Sequence, residues 1–77
     1  MFSKEIDLSE NLKFIILERG ELNTASIKNN QTEVCKVWFS VNLGKIQFIE
    51  KSKAVLHALM LTDIIEFQEK NILQKIK

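Results

Sequence analysis

The chain has 77 residues, 45% of them hydrophobic and none of them proline, so it can form one small core and is too apolar to be disordered. Eleven basic residues face ten acidic ones, and the net charge of +1 excludes a strongly polybasic or polyacidic protein. Cys35 is the single cysteine, which excludes an internal disulfide, and no apolar run is long enough to span a membrane. We therefore expect one domain, residues 1–77, in the cytoplasm of a cell or of an infected host.

The first predicted element is a helix over about residues 8–19. Asp7-Leu8-Ser9-Glu10 fits a capping box, apolar residues follow at helical spacing, and Gly20 stands where a helix often ends. An alternative remains open, because residues 14–17 are four consecutive β-prone side chains. In that alternative, residues 13–17 form a strand that turns at Arg19-Gly20 into a hairpin.

Three strands are predicted next, separated by polar turns. Alternation of apolar and polar residues, the mark of a half-buried strand, is strongest between Thr32 and Val41. Asn29-Asn30-Gln31 and Asn42-Leu43-Gly44 have turn-forming composition. The predicted strands cover residues 22–28, 33–42 and 45–50.

Trp38 is a candidate partner-binding residue on the central strand. The alternating residues predicted to face the helices are Cys35, Val37, Phe39 and Val41. Trp38 would then stand on the open side of the sheet, between Lys36 and Ser40, as an anchor for a protein or a stacking surface for a base. In the alternative, the faces are reversed and Trp38 belongs to the core.

A long helix is predicted from Ser52 to about residue 76. Ser52 is a plausible N-cap, and apolar residues recur at spacings of three and four. They occur on more than one side, which favours contact with a partner or a second subunit; alternatively, the first helix covers the extra face and the tail frays. Besides Trp38, the candidate partner-binding residues are Leu61, Ile65, Phe67 and Ile72.

A basic segment accompanies the start of this helix. Residues 28–53 contain five lysines and two glutamates, a net charge of +3. Backbone N–H groups and the helix dipole at the N-terminus favour an anion, so a phosphate contact is one interpretation and a capped helix with solvated lysines is the other. The candidate nucleic-acid-binding residues are Lys28, Lys51, Lys53 and His57.

Residue counts argue against catalytic chemistry. One histidine, one cysteine and two glycines cannot supply the ligands of a zinc cluster or a glycine-rich phosphate loop. We therefore expect a non-enzymatic protein with no metal and no cofactor. The expected fold class is α+β, in the order α-β-β-β-α, with a three-stranded antiparallel sheet and the helices packed on one face.

This order of elements resembles the double-stranded RNA-binding domain over nearly the whole chain. The matching features are Gly20 after the first helix, the strand over residues 34–41, Gly44 in the turn, and Ser52-Lys53 leading into the last helix at Ala54 and Ala58. The resemblance implies a small binding module that contacts double-stranded RNA, a ribonucleoprotein or a protein partner, with a homodimer through the C-terminal helix as a further possibility.

A second class of protein also has this size and composition. Small, proline-free proteins rich in lysine, isoleucine and asparagine resemble inhibitors encoded by phages and other mobile elements, including some anti-CRISPR proteins. These inhibitors act by covering the surface of a host protein. The alternative prediction is therefore an inhibitor that blocks a host protein by surface binding.

Overall fold

A computed structural model describes residues 4–77. In chain order the elements are β1 (Lys4–Asp7), β2 (Leu12–Glu18), β3 (Asn23–Asn29), β4 (Thr32–Asn42), β5 (Lys45–Phe48), α1 (Glu50–Ala58), α2 (Thr62–Phe67) and α3 (Glu69–Ile76). The strands form one antiparallel sheet, with neighbours in the sheet following chain order. The predicted α+β class is confirmed, but the sheet has five strands rather than three.

The predicted first helix is wrong. Residues 12–18 form β2, which pairs with β1 on one side and β3 on the other. Phe14 and Ile16 are completely buried on one face of this strand, a period of two that the sheet can satisfy and a helix cannot. Asp7 ends β1 and accepts a hydrogen bond from Lys13 Nζ at 3.0 Å, so it caps no helix. The alternative strand over residues 13–17 is the one that the structure contains.

One face of the sheet carries the hydrophobic core. The Phe39 ring lies between Phe14 and Phe48, with ring centroids 5.7 and 5.6 Å apart. Val37 and Phe39 are fully buried on this inner face, as predicted, whereas Val41 near the end of β4 is exposed. The strand residues that form the core are Ile6, Phe14, Ile16, Ala25, Ile27, Val37 and Phe39.

Two predicted turns are confirmed. Asn30 has a φ of 58° between β3 and β4, a conformation that asparagine tolerates better than most residues. Leu43 and Gly44 have φ values of 53° and 72° between β4 and β5. Two positive φ angles in a two-residue loop are those of a type I′ turn, whose twist matches the flanking strands.

The predicted long helix is divided into three. Met60 adopts a φ of 59° after α1, the Met60 N–H donates to His57 O, and the Leu61 N–H donates to Leu56 O at 2.8 Å. This pair of bonds is a Schellman motif, which usually has glycine at the left-handed position. The motif turns Leu61 into the core, where its exposed fraction is 8%. Gln68 makes the second break, between α2 and α3.

The breaks explain the surplus of apolar residues in this segment. Leu61, Ile65 and Ile72 all belong to the core, and so does Leu56. Leu56 and Leu61 would lie about 140° apart around a continuous helix, so the break at Met60 is what directs both toward the sheet. These core residues are therefore not surface residues of the described chain, whereas Val55, Leu59 and Met60 of the same segment are exposed. Phe67 differs, since 83% of its side chain is exposed at the end of α2.

Ser52 has a different role from the predicted one. It lies inside α1, whose N-cap is Ile49, and is buried. Its Oγ accepts a hydrogen bond from the Trp38 N–H at 2.9 Å, and the Ile49 N–H donates to Trp38 O at 3.0 Å. The start of α1 is therefore attached to β4 at the point where β5 stops pairing with it.

The last helix connects the two edges of the sheet. α3 contacts both β1 and β5, the outermost strands. Its first residue, Glu69, accepts a hydrogen bond from the Ile46 N–H of β5 through Oε2 at 3.0 Å. All three helices contribute to the core on the inner face, and the opposite face of the sheet is the open face. Within residues 4–77 no helix has the length and apolar character needed to cross a membrane.

Candidate functional site

A groove of about 620 Å³ separates β5 from the helices. We call it the β5 groove. Strand β5 supplies one wall, α1 and α2 supply the other, and the first residue of α3 lies at its margin. The lining residues are Ile46, Phe48, Glu50, Lys53, Ala54, Leu56, His57, Thr62, Ile65, Glu66 and Glu69.

Apolar side chains of the core continue into this groove. Leu56 and Ile65 are buried core residues, and Ile46 and Phe48 are partly buried residues packed against the core. Ile46 and Phe48 are alternate residues of β5, so both side chains point toward the inner face. The groove therefore offers apolar surface that a ligand could cover. The side chains that form this surface are held in place by the core.

The groove also has a charged lining with a negative balance. The glutamates Glu50, Glu66 and Glu69 oppose a single ammonium, that of Lys53. Lys53 Nζ lies 3.6 Å from Glu50 Oε1, so its charge is already engaged by a carboxylate of the same lining. The remaining charge is acidic, which favours a ligand that carries basic groups beside apolar ones.

The structure does not bring the four candidate nucleic-acid-binding residues together. Lys53 and His57, one turn apart on α1, both line the β5 groove. Lys51 is exposed on α1 but is not part of the groove lining. Lys28 of β3 lies opposite Lys13 of β2 and Glu33 of β4 in the strand register. Its side chain is on the open face of the sheet, away from the helices.

Trp38 lies on the open face, as one of the two sequence interpretations predicted. Its neighbours Val37 and Phe39 are fully buried on the inner face, while Trp38 itself is 37% exposed. Lys36 and Ser40 flank it along the same face of β4, and Thr24 lies opposite it on β3. An indole in this position can contact a partner without any change in the core.

The charge of Lys13 on the open face is paired. Lys13 Nζ lies 3.0 Å from Asp7 Oδ1 and 4.0 Å from Glu5 Oε2. The hydrogen bond and the charge of Asp7, and to a smaller extent the charge of Glu5, raise the pKa of the Lys13 ammonium. Lys13 is therefore neutralised locally and contributes little positive potential to this face.

Cys35 has the environment of a packing residue. Burial first, and the neighbouring Glu33 carboxylate second, raise the pKa of the Cys35 thiol above its usual range. A raised pKa keeps the thiol protonated near neutral pH, where a protonated thiol is a poor nucleophile. Among residues 4–77 there is no group of three histidine, cysteine, aspartate or glutamate side chains that could hold a metal ion.

Sequence reasoning named Lys53 and His57 as candidate nucleic-acid-binding residues, and it missed the groove that they line. Glu66 and Glu69 are placed beside β5 by the helix breaks at Met60 and Gln68. A continuous helix would have carried these glutamates away from β5, so no spacing rule based on one helix could find them. The available signal was weak: a left-handed methionine has no sequence signature comparable to glycine.

Comparisons of this chain with known protein families, with curated proteins and with solved structures find no match.

Proposed function

We propose that this chain is a non-enzymatic binding module for a protein partner, and that the β5 groove is the surface that receives the partner. The observation that carries the proposal is an apolar groove whose lining has a net negative charge. The partner segment that fits this chemistry has apolar side chains accompanied by lysine or arginine. The alternative function, an inhibitor that blocks a host protein by surface binding, would use the same groove to bind that protein.

The apolar part of the groove is the main source of affinity in this proposal. Burying apolar surface contributes roughly 25 cal/mol per Å², whereas exposed ion pairs contribute little. The acidic groups Glu50 and Glu66 then select among apolar segments, because they favour basic neighbours and disfavour acidic ones. Affinity is expected to depend on the apolar residues of the groove lining, and specificity on its glutamates.

Selection from a random peptide library displayed on phage, with the full chain immobilised, tests the proposal. We expect enriched peptides to combine apolar residues with lysine or arginine. Ala54→Trp should reduce their affinity about tenfold or more, because Ala54 is an exposed residue of the groove lining and the indole would fill the space.

Ala58→Trp is the matched control for this experiment. Ala58 lies one turn along the same helix, is exposed, and does not line the groove. The control should bind the selected peptides like the unmodified chain. No enrichment, or equal binding by both tryptophan variants, would overturn the proposal.

Contact with RNA is a second candidate, favoured by the open face of the sheet. Trp38 is partly exposed there, Lys36 flanks it, and neither Lys28 nor Lys36 takes part in an ion pair among the described residues. Lys51 and Lys53 would belong to a separate contact, because α1 packs on the inner face.

A gel shift with a duplex of about 20 base pairs tests RNA binding. If RNA binds, affinity should fall steeply as salt rises, since neutralised phosphates release counterions. The pair Lys28→Ala and Lys36→Ala tests the open face, and the pair Lys51→Ala and Lys53→Ala tests α1. Absence of binding at about 50 mM salt would exclude this candidate.

A further inference from the structure

Strand β5 is an edge of the sheet with backbone groups directed away from its partner. In its ladder with β4, Ile46 lies opposite Val41 and Phe48 lies opposite Phe39. Alternate residues of an antiparallel edge strand point their N–H and C=O groups outward. The Ile46 N–H points outward, since its hydrogen bond goes to Glu69 Oε2 rather than to β4. The Phe48 N–H, two residues later, has the same direction and no hydrogen-bond partner within residues 4–77.

These outward backbone groups belong to residues that line the β5 groove. Ile46 and Phe48 form the strand side of the groove, and α1 and α2 form the opposite side. An extended peptide that lies against a strand edge, with a helix on its other side, uses a common mode of peptide recognition. Backbone hydrogen bonds provide part of the affinity, and alternate side chains enter the groove.

The other exposed backbone of the sheet is less suited to this role. β1 lies against α3. The part of β4 that extends beyond β5 has an irregular register between Ile27 and Lys28 of β3, and carries Lys36. Bulges and lysines are features by which natural sheets discourage pairing at an edge. β5 is therefore the edge that combines outward N–H groups with an open groove.

We propose that the β5 groove binds an extended peptide as a sixth strand, and that this peptide displaces the Glu69 carboxylate from the Ile46 N–H. This inference rests on the proposed function and specifies the conformation of the partner. Peptide carbonyls would accept hydrogen bonds from Ile46 and Phe48, while alternate apolar side chains cover the accessible apolar lining at Ile46, Phe48 and Ala54. The displaced Glu69 carboxylate would then be available to a basic side chain of the peptide.

Glu69 therefore competes with the incoming strand for one donor. In the free protein its carboxylate satisfies an N–H that would otherwise be unpaired at the margin of the groove. This hydrogen bond also protects the edge from pairing with unrelated strands. A peptide with basic residues compensates for the lost bond, and an uncharged peptide does not.

The experiment uses the full chain labelled with ¹⁵N and three synthetic peptides, observed by NMR titration. The first alternates lysine and valine, the second is the same peptide with N-methyl groups on alternate amides, and the third is a basic amphipathic helix former. We expect the first peptide to shift the amide signals of Ile46 and Phe48. The N-methylated peptide should bind about tenfold more weakly or worse, since it loses the N–H groups that would donate to the outward C=O groups of Ile46 and Phe48.

A second measurement tests the displacement of Glu69 with an uncharged peptide that alternates threonine and valine. Glu69→Ala should bind it more tightly than the unmodified chain, because the competing acceptor is gone. Asp63→Ala is the matched control, as it removes an exposed carboxylate of α2 that does not line the groove and holds no strand N–H. The control should leave the affinity for this peptide unchanged.

The outcomes separate this inference from the proposed function. Binding of the helical peptide in preference to the extended one, with sensitivity to Ala54→Trp, would overturn the sixth strand and leave the groove as a partner site. Equal binding of the methylated and unmethylated peptides would also overturn it, as would equal effects of Glu69→Ala and Asp63→Ala. Failure of all three peptides to respond to Ala54→Trp would count against both.

Discussion

The strands and the helices supply one core in different ways. β2, β3 and β4 each bury at least two hydrophobic residues that alternate along the inner face. α2 and α3 each bury a single residue, Ile65 and Ile72, and α1 buries Ser52 and Leu56. The sheet therefore supplies most of the core, and the helices are attached to it through a few side chains. The β5 groove lies between the sheet and the helices, where few buried side chains connect them.

The largest expected effect comes from the centre of the sheet. Phe39→Ala should lower the free energy of unfolding by about 3–5 kcal/mol, because it removes a buried ring that packs between two others and leaves a cavity. Denaturant unfolding followed by circular dichroism measures the change.

Phe67→Ala is the matched control from the helical part, since the Phe67 ring is exposed. It should change the free energy of unfolding by no more than about 0.5 kcal/mol. A comparable loss in both variants would show that the helical part contributes as much core as the sheet and would contradict the comparison.

An intermediate effect is expected where α1 is attached to the sheet. Ser52→Ala should lower the free energy of unfolding by about 1–3 kcal/mol, since it leaves the Trp38 N–H without its acceptor. Amide hydrogen exchange at Trp38 should accelerate in the same variant. Ser40→Ala, a half-buried serine of β4 with no side-chain hydrogen bond among the described residues, should have little effect on either measurement.

The smallest effect, and the one with opposite sign, is expected at the first helix break. Met60→Gly should raise the free energy of unfolding by up to about 1 kcal/mol, because glycine adopts a φ near 59° without the steric penalty of a side chain. Met60 is 88% exposed, so little packing is lost.

Ala58→Gly provides the contrast for Met60→Gly within the same turn of chain. Ala58 is an ordinary helical residue of α1, where glycine should cost about 1 kcal/mol. If both glycine variants destabilise the protein equally, Met60 is not held in a left-handed conformation and the break between α1 and α2 lies elsewhere.

Alternation of apolar and polar residues was sufficient to predict most of the sheet. Residues 33–42 and the turns at 29–31 and 42–44 follow from side-chain period and turn composition, which are local properties. The same period predicted Val37, Phe39 and Val41 inside, of which Val41 is exposed, and it placed Trp38 on the open face in one of two interpretations. The prediction failed at β2, where residues 12–18 carry both helical spacing and β-prone side chains, and only pairing with β1 and β3 decides between them.

The sequence by itself determined the α+β class, the central hairpins and the burial of alternate residues in β4, since these depend on neighbours within a few positions. Only the tertiary structure decided that the last segment breaks at Met60 and Gln68. A continuous helix over residues 50–76 would be about 40 Å long, whereas the longest extent of the described residues is 28 Å. It would also separate Leu56 from Leu61 by about 140° around its axis, whereas both side chains are buried in one core. The β5 groove and its acidic lining follow from those breaks, because Glu66 and Glu69 come next to β5 only after the chain has turned twice.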